Sequence, residues 1–445
     1  MMLPVRSFIC LLYLLSMSLQ QVWSQETWDL KKCIAIALDK NRSLDKSEWG
    51  LKSKEVDIRT AKNERLPNLN AYTNVYTNFG QSQDIFGNAA RNDNFNGTLG
   101  FSSNYSIFNH GKIKHTIKKE ELLLAAGQED LAIFKREITI RVMQRFLNTM
   151  LQREISHAKD TALVFAENQL QKVRKSNELG ATSLTILYEA EANYAREKEK
   201  SVQAHYAEDK AILELKQAMG LGVDVELVVE DQLDFPFLET FETHNKSAIF
   251  NRSLDAHPVL KKYNFLNESL LFDKKSIAAQ RYPTVDASLA LGSFYFNNLT
   301  SRIGNITLFR QFQGNFSQQI GLSINFPIFN KHAIKHALQK NQIQLQENLT
   351  QLEMEKETIK QELEKYLLDL ANFENQYVSL SQITEMSKKA FAVSLKSYEA
   401  GRISIYDLHV SRSNLLAVES EWIQAKYNVL FTQILIHYSI HGSLD

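Results

Sequence analysis

The sequence predicts a mainly α-helical protein with a transmembrane β-barrel portion, written as a duplicated unit in which a strand pair precedes a long helical hairpin. Three observations predict it. Two stretches of about 64 residues contain no proline and only a single glycine between them, which leaves nothing to interrupt a helix. Four shorter segments alternate apolar and polar residues with the period of a strand. Both kinds of segment occur in the same order in each half of the chain.

The N-terminus comes first. Met1 to Arg6, the apolar run Phe8 to Leu15, and the small residues Val22 and Ser24 before Gln25 have the layout of a cleaved export signal, so residues 1–24 are assigned to it. The alternative is an anchored helix, but the apolar run falls short of the roughly 18 residues a span requires. Cys10 leaves with the signal, and Cys33 is then the only mature thiol, so no internal disulfide is possible. Its neighbours Ile34, Ala35, Ile36, Ala37 and Leu38 suit a small buried hydrophobe. No later stretch approaches a transmembrane helix, which leaves an exported chain either soluble or inserted as a barrel. Lys plus Arg equals Asp plus Glu at 51 each, so no global field recruits nucleic acid.

The mature chain is one unit written twice. Ala37 to Leu44 aligns with Ser253 to Leu260, and Arg65-Leu66-Pro67 with Arg281-Tyr282-Pro283 at the same offset. Ile107-Phe108-Asn109 then aligns with Ile328-Phe329-Asn330, and Gly180 with Gly401, at an offset five residues longer. The length difference falls between the prolines and the Ile-Phe-Asn sites, where loops belong. The first repeat is placed at 25–220 and the second at 253–445, each with a helix, a strand pair and a long helical hairpin. Residues 221–252 join them as a packed, acidic linker.

The strands follow. Leu69, Ala71, Thr73, Val75, Thr77 and Phe79 alternate with Asn70, Tyr72, Asn74, Tyr76 and Asn78, and Leu99, Phe101, Tyr105 and Ile107 alternate with Asn and Ser on the return. Val285, Ala287, Leu289 and Leu291 make the third strand, and Ile320, Leu322, Ile324, Phe326 and Ile328 the fourth. Each runs for about ten residues, the length a tilted strand needs to cross a bilayer. Phe79, Phe108, Phe294, Phe326 and Phe329 suit interfacial girdles. A soluble sandwich edge shows the same alternation. Four strands cannot close a barrel, since the smallest transmembrane barrels use about eight, so a membrane role requires several chains.

The long runs, Lys112 to about Lys175 and Ala333 to about Ser397, correspond to roughly 95 Å of helix each at about 1.5 Å per residue. Leu345, Leu349, Leu352, Ile359, Leu363, Tyr366, Leu370, Phe373, Tyr377 and Leu380 follow a coiled-coil seam, with Lys356 in its one missing place. The helices reverse at Asn177 to Ser183 and at Tyr398 to Ser404, where Gly180 and Gly401 supply left-handed caps and Ser183, Thr182 or Ser404 can start the next helix.

Duplicated strand pairs flanked by R-x-P and I-F-N, with long hairpins turning at "NELGATSLTIL" and "YEAGRISIYDL", resemble the TolC family of outer-membrane efflux and secretion channels over nearly the whole mature chain. The resemblance implies a homotrimer with a twelve-strand barrel continued by a twelve-helix periplasmic tunnel. It implies an outer membrane of a Gram-negative bacterium, contact with outer-membrane lipid, and a periplasmic adaptor (a membrane fusion protein) and inner-membrane pump as partners. Tyr398 and Asp407 match a tyrosine and an aspartate of the family's tip constriction, and Gly180 and Gly401 match its turn glycines, where the adaptor docks. Ile403, Val410 and Ile186 stand where the resemblance expects an arginine and two aspartates, which implies a more hydrophobic closure. An ordinary solvated turn is the alternative for Tyr398 and Asp407.

No enzyme site emerges. His332 and His336 share a helical face, yet Ala-Ile-Lys between them lacks the Glu of a zinc hydrolase motif. Glu353, Glu355 and Glu357, like Glu189 and Glu191, are read as solvated helix faces. The expectation is a passive duct with no catalytic residues, metal or cofactor. A periplasmic coiled-coil adaptor is the competing reading, but it calls for one hairpin and this chain has two.

Overall fold

A computed structural model describes residues 27–83, 86–230, 246–300 and 306–442. The proposed export signal lies outside them, as does most of the acidic stretch from Asp224 to Glu242. The elements run β1 (Thr27–Trp28), α1 (Leu30–Lys40), α2 (Arg42–Asn63), β2 (Asn70–Asn78), β3 (Gln81–Gln83), β4 (Ala89–Arg91), β5 (Asn94–Phe108), α3 (Lys112–Glu178) and α4 (Leu184–Met219). After β6 (Val228–Val229) come α5 (Lys246–Ala256), α6 (Pro258–Ala279), β7 (Thr284–Asn298), α7 (Leu308–Gly314), β8 (Ser317–Asn325), α8 (Ala333–Glu399) and α9 (Ile405–His441).

Helix lengths repeat between the halves: 11, 22, 67 and 36 residues for α1 to α4, then 11, 22, 67 and 37 for α5, α6, α8 and α9. Where the sequence suggested one leading helix per half, each half has two. Asn41 ends α1 with extended backbone, and Pro258, which no helix interior accepts, opens α6. The strand-to-helix connections repeat as well, with left-handed backbone at His110 and Gly111 and again at Lys331 and His332.

Compactness does not follow the repeats. The chain divides into one unit of residues 1–46, 132–257 and 358–445, and another of 47–131 and 258–357, each drawing on both halves. The physical reason is that a strand pair or a helical hairpin buries little by itself, so each packs on its counterpart from the other half.

The second of these units holds a four-stranded antiparallel sheet in the order β2-β5-β7-β8. Its registers put Ala71, Thr73 and Val75 in line with Phe101, Leu99 and Gly97, then with Leu291, Ser293 and Tyr295. Ala287 and Leu289 continue that face into Leu322 and Ile320. The apolar sets of all four strands therefore share one side. The other side carries Asn70, Asn74, Asn78, Asn96, Thr98, Asn104, Ser288, Gln319 and Ser323. A bulge between Ser106 and Phe108 leaves Ile107 without a partner and returns Phe108 to the apolar face opposite Val285.

Two of the four strands are longer than expected: β5 and β7 each have 15 residues, because they pair with one another as far as Asn94 and Asn298. Phe294 is a correction. Its register partner Thr98 puts it, with Phe296, on the polar side rather than among the aromatics of the apolar face. Past Gly292, β7 has no partner strand in β8, and α7 covers that edge instead. The Gln311 carboxamide accepts from the Phe296 N–H at 3.0 Å and donates to the Phe296 carbonyl at 2.8 Å, as a neighbouring strand would.

Within the same unit, Ala61, Ile113 and Ile117 form a small core, and Gly127 lets Leu51 and Lys54 approach closely. Lys119 pairs with Asp273 at 3.1 Å and Lys262 with Asp130 at 2.8 Å.

The first unit is helical apart from β1 and β6, which pair in parallel and bring the start of the described chain onto the segment after α4. No local pattern in either segment signals that pairing. Leu363, Leu367 and Leu370 of α8 meet Val429, Ile436 and Ile440 of α9, with Ile249 and Phe250 of α5 packed against them. Leu367 was not in the expected seam, while Leu349 of that seam is exposed. A straight helix drifts relative to a strict heptad, so the buried stripe moves around α8. From Thr432 to Ile440, α9 is buried on most sides, as a helix hydrophobic all round must be. Arg136 lies over the Tyr438 ring at 5.0 Å and donates to Ser439 Oγ at 3.3 Å. Cys33 is fully buried.

Candidate functional site

Both long hairpins turn inside the helical unit, and the same chemistry makes each turn. After α3, Gly180 takes φ +74°, its N–H donates to the Asn177 carbonyl at 2.8 Å, and the Ala181 N–H reaches back to Ser176 at 2.9 Å. After α8, Gly401 takes φ +66°, with the matching bonds to Tyr398 at 2.9 Å and from Arg402 to Ser397 at 2.8 Å. These are helix ends closed by a left-handed residue, which only glycine adopts without strain.

The next helices start differently. Ser183 caps α4 by accepting from the Ile186 N–H at 3.4 Å. Ser404 caps α9 more completely. Its Oγ accepts from the Asp407 N–H at 3.1 Å, while the Asp407 carboxylate accepts from the Ser404 N–H at 3.1 Å and hydroxyl at 2.7 Å. The Ser404 hydroxyl, then its backbone N–H, hold the Asp407 carboxyl below the usual carboxylate range. Asp407 is thus an exposed anion whose role within the chain is to start α9.

Tyr398 and Ile186 come together. Both pack against a cluster of Leu170, Val173, Ala190 and Ile405, beside Leu187 and Tyr194. Burial pushes the Tyr398 phenol up, which keeps it a neutral hydroxyl. Ile403 is half-buried in the turn, and Val410 is exposed at the rim of a cavity. Of the five residues singled out from the sequence, the structure sets Tyr398 and Ile186 against one apolar cluster. It gives Asp407 a cap, and it sets Val410 apart.

That cavity, about 320 Å³, was not legible in the sequence. Phe165, Arg196, Glu197, Lys200, His409 and Arg412 are among its lining residues. Arg412 lies over the paired rings of Phe165 and Phe391, at 5.5 and 5.1 Å from their centroids. Glu197 is buried and accepts from Lys200 at 2.8 Å. Polar residues on long helices are read as solvated faces, and only packing of α3, α4 and α9 shows which are enclosed.

The sheet is the other functional surface. Among the described residues, β2 and β8 each pair on one side only, and Val75, Leu99, Phe101, Ile320, Leu322 and Ile324 are all more than half exposed on its apolar face. No described helix is long and apolar enough to cross a membrane. His332 and His336 have rings 6.3 Å apart, and no described group of three or more His, Cys, Asp or Glu side chains is placed to hold a metal ion.

A family model described as "Outer membrane efflux protein" matches residues 33–221 and 254–436. The chain belongs to the outer membrane efflux protein family. The two matched segments leave residues 222–253 between them unmatched. Curated relatives include a probable efflux pump outer membrane protein, TtgC, and an antibiotic efflux pump outer membrane protein, ArpC, both of Pseudomonas putida. Each is 21% identical over 95% of this chain and 85% of its own length. Among solved structures, the outer membrane protein VceC of Vibrio cholerae matches with a TM-score of 0.74 at 17% identity, over 92% of this chain and 96% of that one. The expected TolC-like family is therefore the right one, and the fold is that of outer-membrane efflux channels.

Proposed function

We propose that the chain is the outer-membrane subunit of a tripartite efflux or type I secretion system, a passive duct that moves its cargo without changing it. In this reading three copies close a twelve-strand barrel, and their helices form a twelve-helix periplasmic tunnel. A periplasmic adaptor docks at the turns around Gly180 and Gly401 and links the duct to an inner-membrane pump. Residues 1–24 act as the export signal, 25–220 and 253–445 as the two repeats, and 221–252 as their connector.

The sheet supports this reading. A one-sided apolar surface with two unpaired edges cannot stay in lipid alone, because hydrocarbon satisfies no backbone N–H or C=O. Pairing β2 of one copy with β8 of the next removes the edges, and three copies supply enough strands for a barrel. The adaptor reading leaves that surface unexplained.

At the tip, Tyr398, Asp407, Ile403, Val410 and Ile186 form the proposed gate. The contact of Tyr398 and Ile186 with one apolar cluster supports closure by packing rather than by a polar latch. Fractionation with crosslinking tests the duct. The expected result is a trimer in the outer membrane, and a soluble periplasmic monomer overturns it.

A further inference from the structure

Across β2, β5, β7 and β8, one side chain alone carries a formal charge: Asp286. It lies on the polar face, opposite Ser106 on one side and Ser323 on the other, and its carboxylate accepts from Thr284 Oγ1 at 3.3 Å. Apart from Ala290, Gly100, Gly292 and Gly321, the rest of that face is carboxamide, hydroxyl and aromatic. Asn78 and Asn96 both donate to Asn94 Oδ1, so the amides there bond to one another. Tyr72 lies across Gly100, and Phe294 and Phe296 stand on the same side.

We propose that this face lines the outer-membrane passage as a neutral, amide-rich wall that does not sort solutes by charge, and that Asp286 is its single charge-selecting residue. The inference rests on the duct reading, which turns the polar face inward. Hydrogen-bonding amides and hydroxyls interact with polar solutes of either sign, whereas fixed charges favour one. The field of Asp286 is local. In physiological salt it is screened over about 8 Å, and a strand advances about 3.4 Å per residue. Asn104, opposite Ser288, lies within that reach. Asn74 is joined through Thr98 to Phe294, eight residues along β7 from Asp286, or about 27 Å at that rise. Cations are therefore favoured at one end of the four strands and at no other level of them.

Cysteine labelling of the full-length protein in intact cells tests this, with methanethiosulfonate reagents of opposite charge added from outside. Cys33 is fully buried and its thiol is pushed up to about 12 by burial, so the background is silent. At Asn104→Cys the ratio of cationic to anionic labelling rates is expected to fall about threefold when Asp286→Asn is added. At Asn74→Cys the ratio is expected to match that of a free thiol and to ignore Asp286→Asn. A strong charge preference at Asn74→Cys, or an Asn104→Cys ratio unmoved by Asp286→Asn, overturns the inference alone. Unreactive cysteines at both polar positions, with Leu322→Cys labelled instead, overturn the duct reading and this inference with it. All of these positions except Asp286 are exposed, and Asp286→Asn keeps an acceptor for Thr284, so the fold is preserved.

Discussion

Tyr72 covers Gly100 on the polar face of the sheet so closely that a Cβ on Gly100 would stand 2.7 Å from the tyrosine's Cζ and hydroxyl oxygen, and 2.7 Å from the Leu291 carbonyl. The register explains it: Tyr72 pairs with Gly100, and Gly100 with Gly292, so a ring on the edge strand lies over two residues without side chains. Such a ring shields backbone hydrogen bonds that glycines leave bare.

Gly100→Ala is expected to destabilise the sheet by about 1–3 kcal/mol, the usual cost of overpacking. Adding Tyr72→Ala should not restore stability, because the contact with the Leu291 carbonyl remains. Thermal dissociation of the purified protein in detergent measures both.

Tyr398 tests the proposed gate. It packs against an apolar cluster, and its hydroxyl makes no hydrogen bond among the described residues, so Tyr398→Phe should leave single-channel conductance in planar bilayers unchanged, while Tyr398→Ala should raise it several-fold. A large rise from Tyr398→Phe would instead show a latch built on the hydroxyl.

Ser404 is expected to matter for the start of α9. Ser404→Ala removes the acceptor for the Asp407 N–H and a donor to its carboxylate, a loss of about 1 kcal/mol for a helix cap. The Asp407 pKa is depressed in the folded state, so its contribution is present above the ordinary carboxylate pKa and fades as pH falls through the lower, folded value. Hydrogen exchange over the first turn of α9, at neutral pH and at pH 3, reads out both effects.

His257 imposes a second pH dependence. Burial, and next the charge of Arg136, lower its pKa from 6.5 to about 4. The unfolded chain then binds a proton that the folded one refuses between those values, so stability falls as pH drops from 6.5 toward 4. His257→Gln should flatten that part of the curve of melting temperature against pH.

The two faces of the sheet were legible because alternation is a local property of the chain, and the registers then agree from Ala71 to Leu322. Phe294 shows the limit. An aromatic near a strand end suits either face, and its position depends on pairing with Thr98, far away in sequence. Gln311 is a sharper case, since nothing local distinguishes an amide that completes a strand edge from one in water. At the tip, Gly180, Gly401 and the capping serines were legible for the same reason as the strands. That Tyr398 and Ile186 pack on one cluster while Asp407 turns back to Ser404 was not.

The sequence by itself determined the duplicated order, the helix-turn glycines and the two-faced strands, because periodicity and φ preferences act within a few residues. Tertiary structure alone decided that the compact units cut across the repeats, that Tyr72 shields Gly100, and that Asp286 stands on the polar face opposite Ser106 and Ser323. Each depends on which distant strand or helix a residue meets, and that is set by burying apolar surface and satisfying backbone hydrogen bonds across the whole chain.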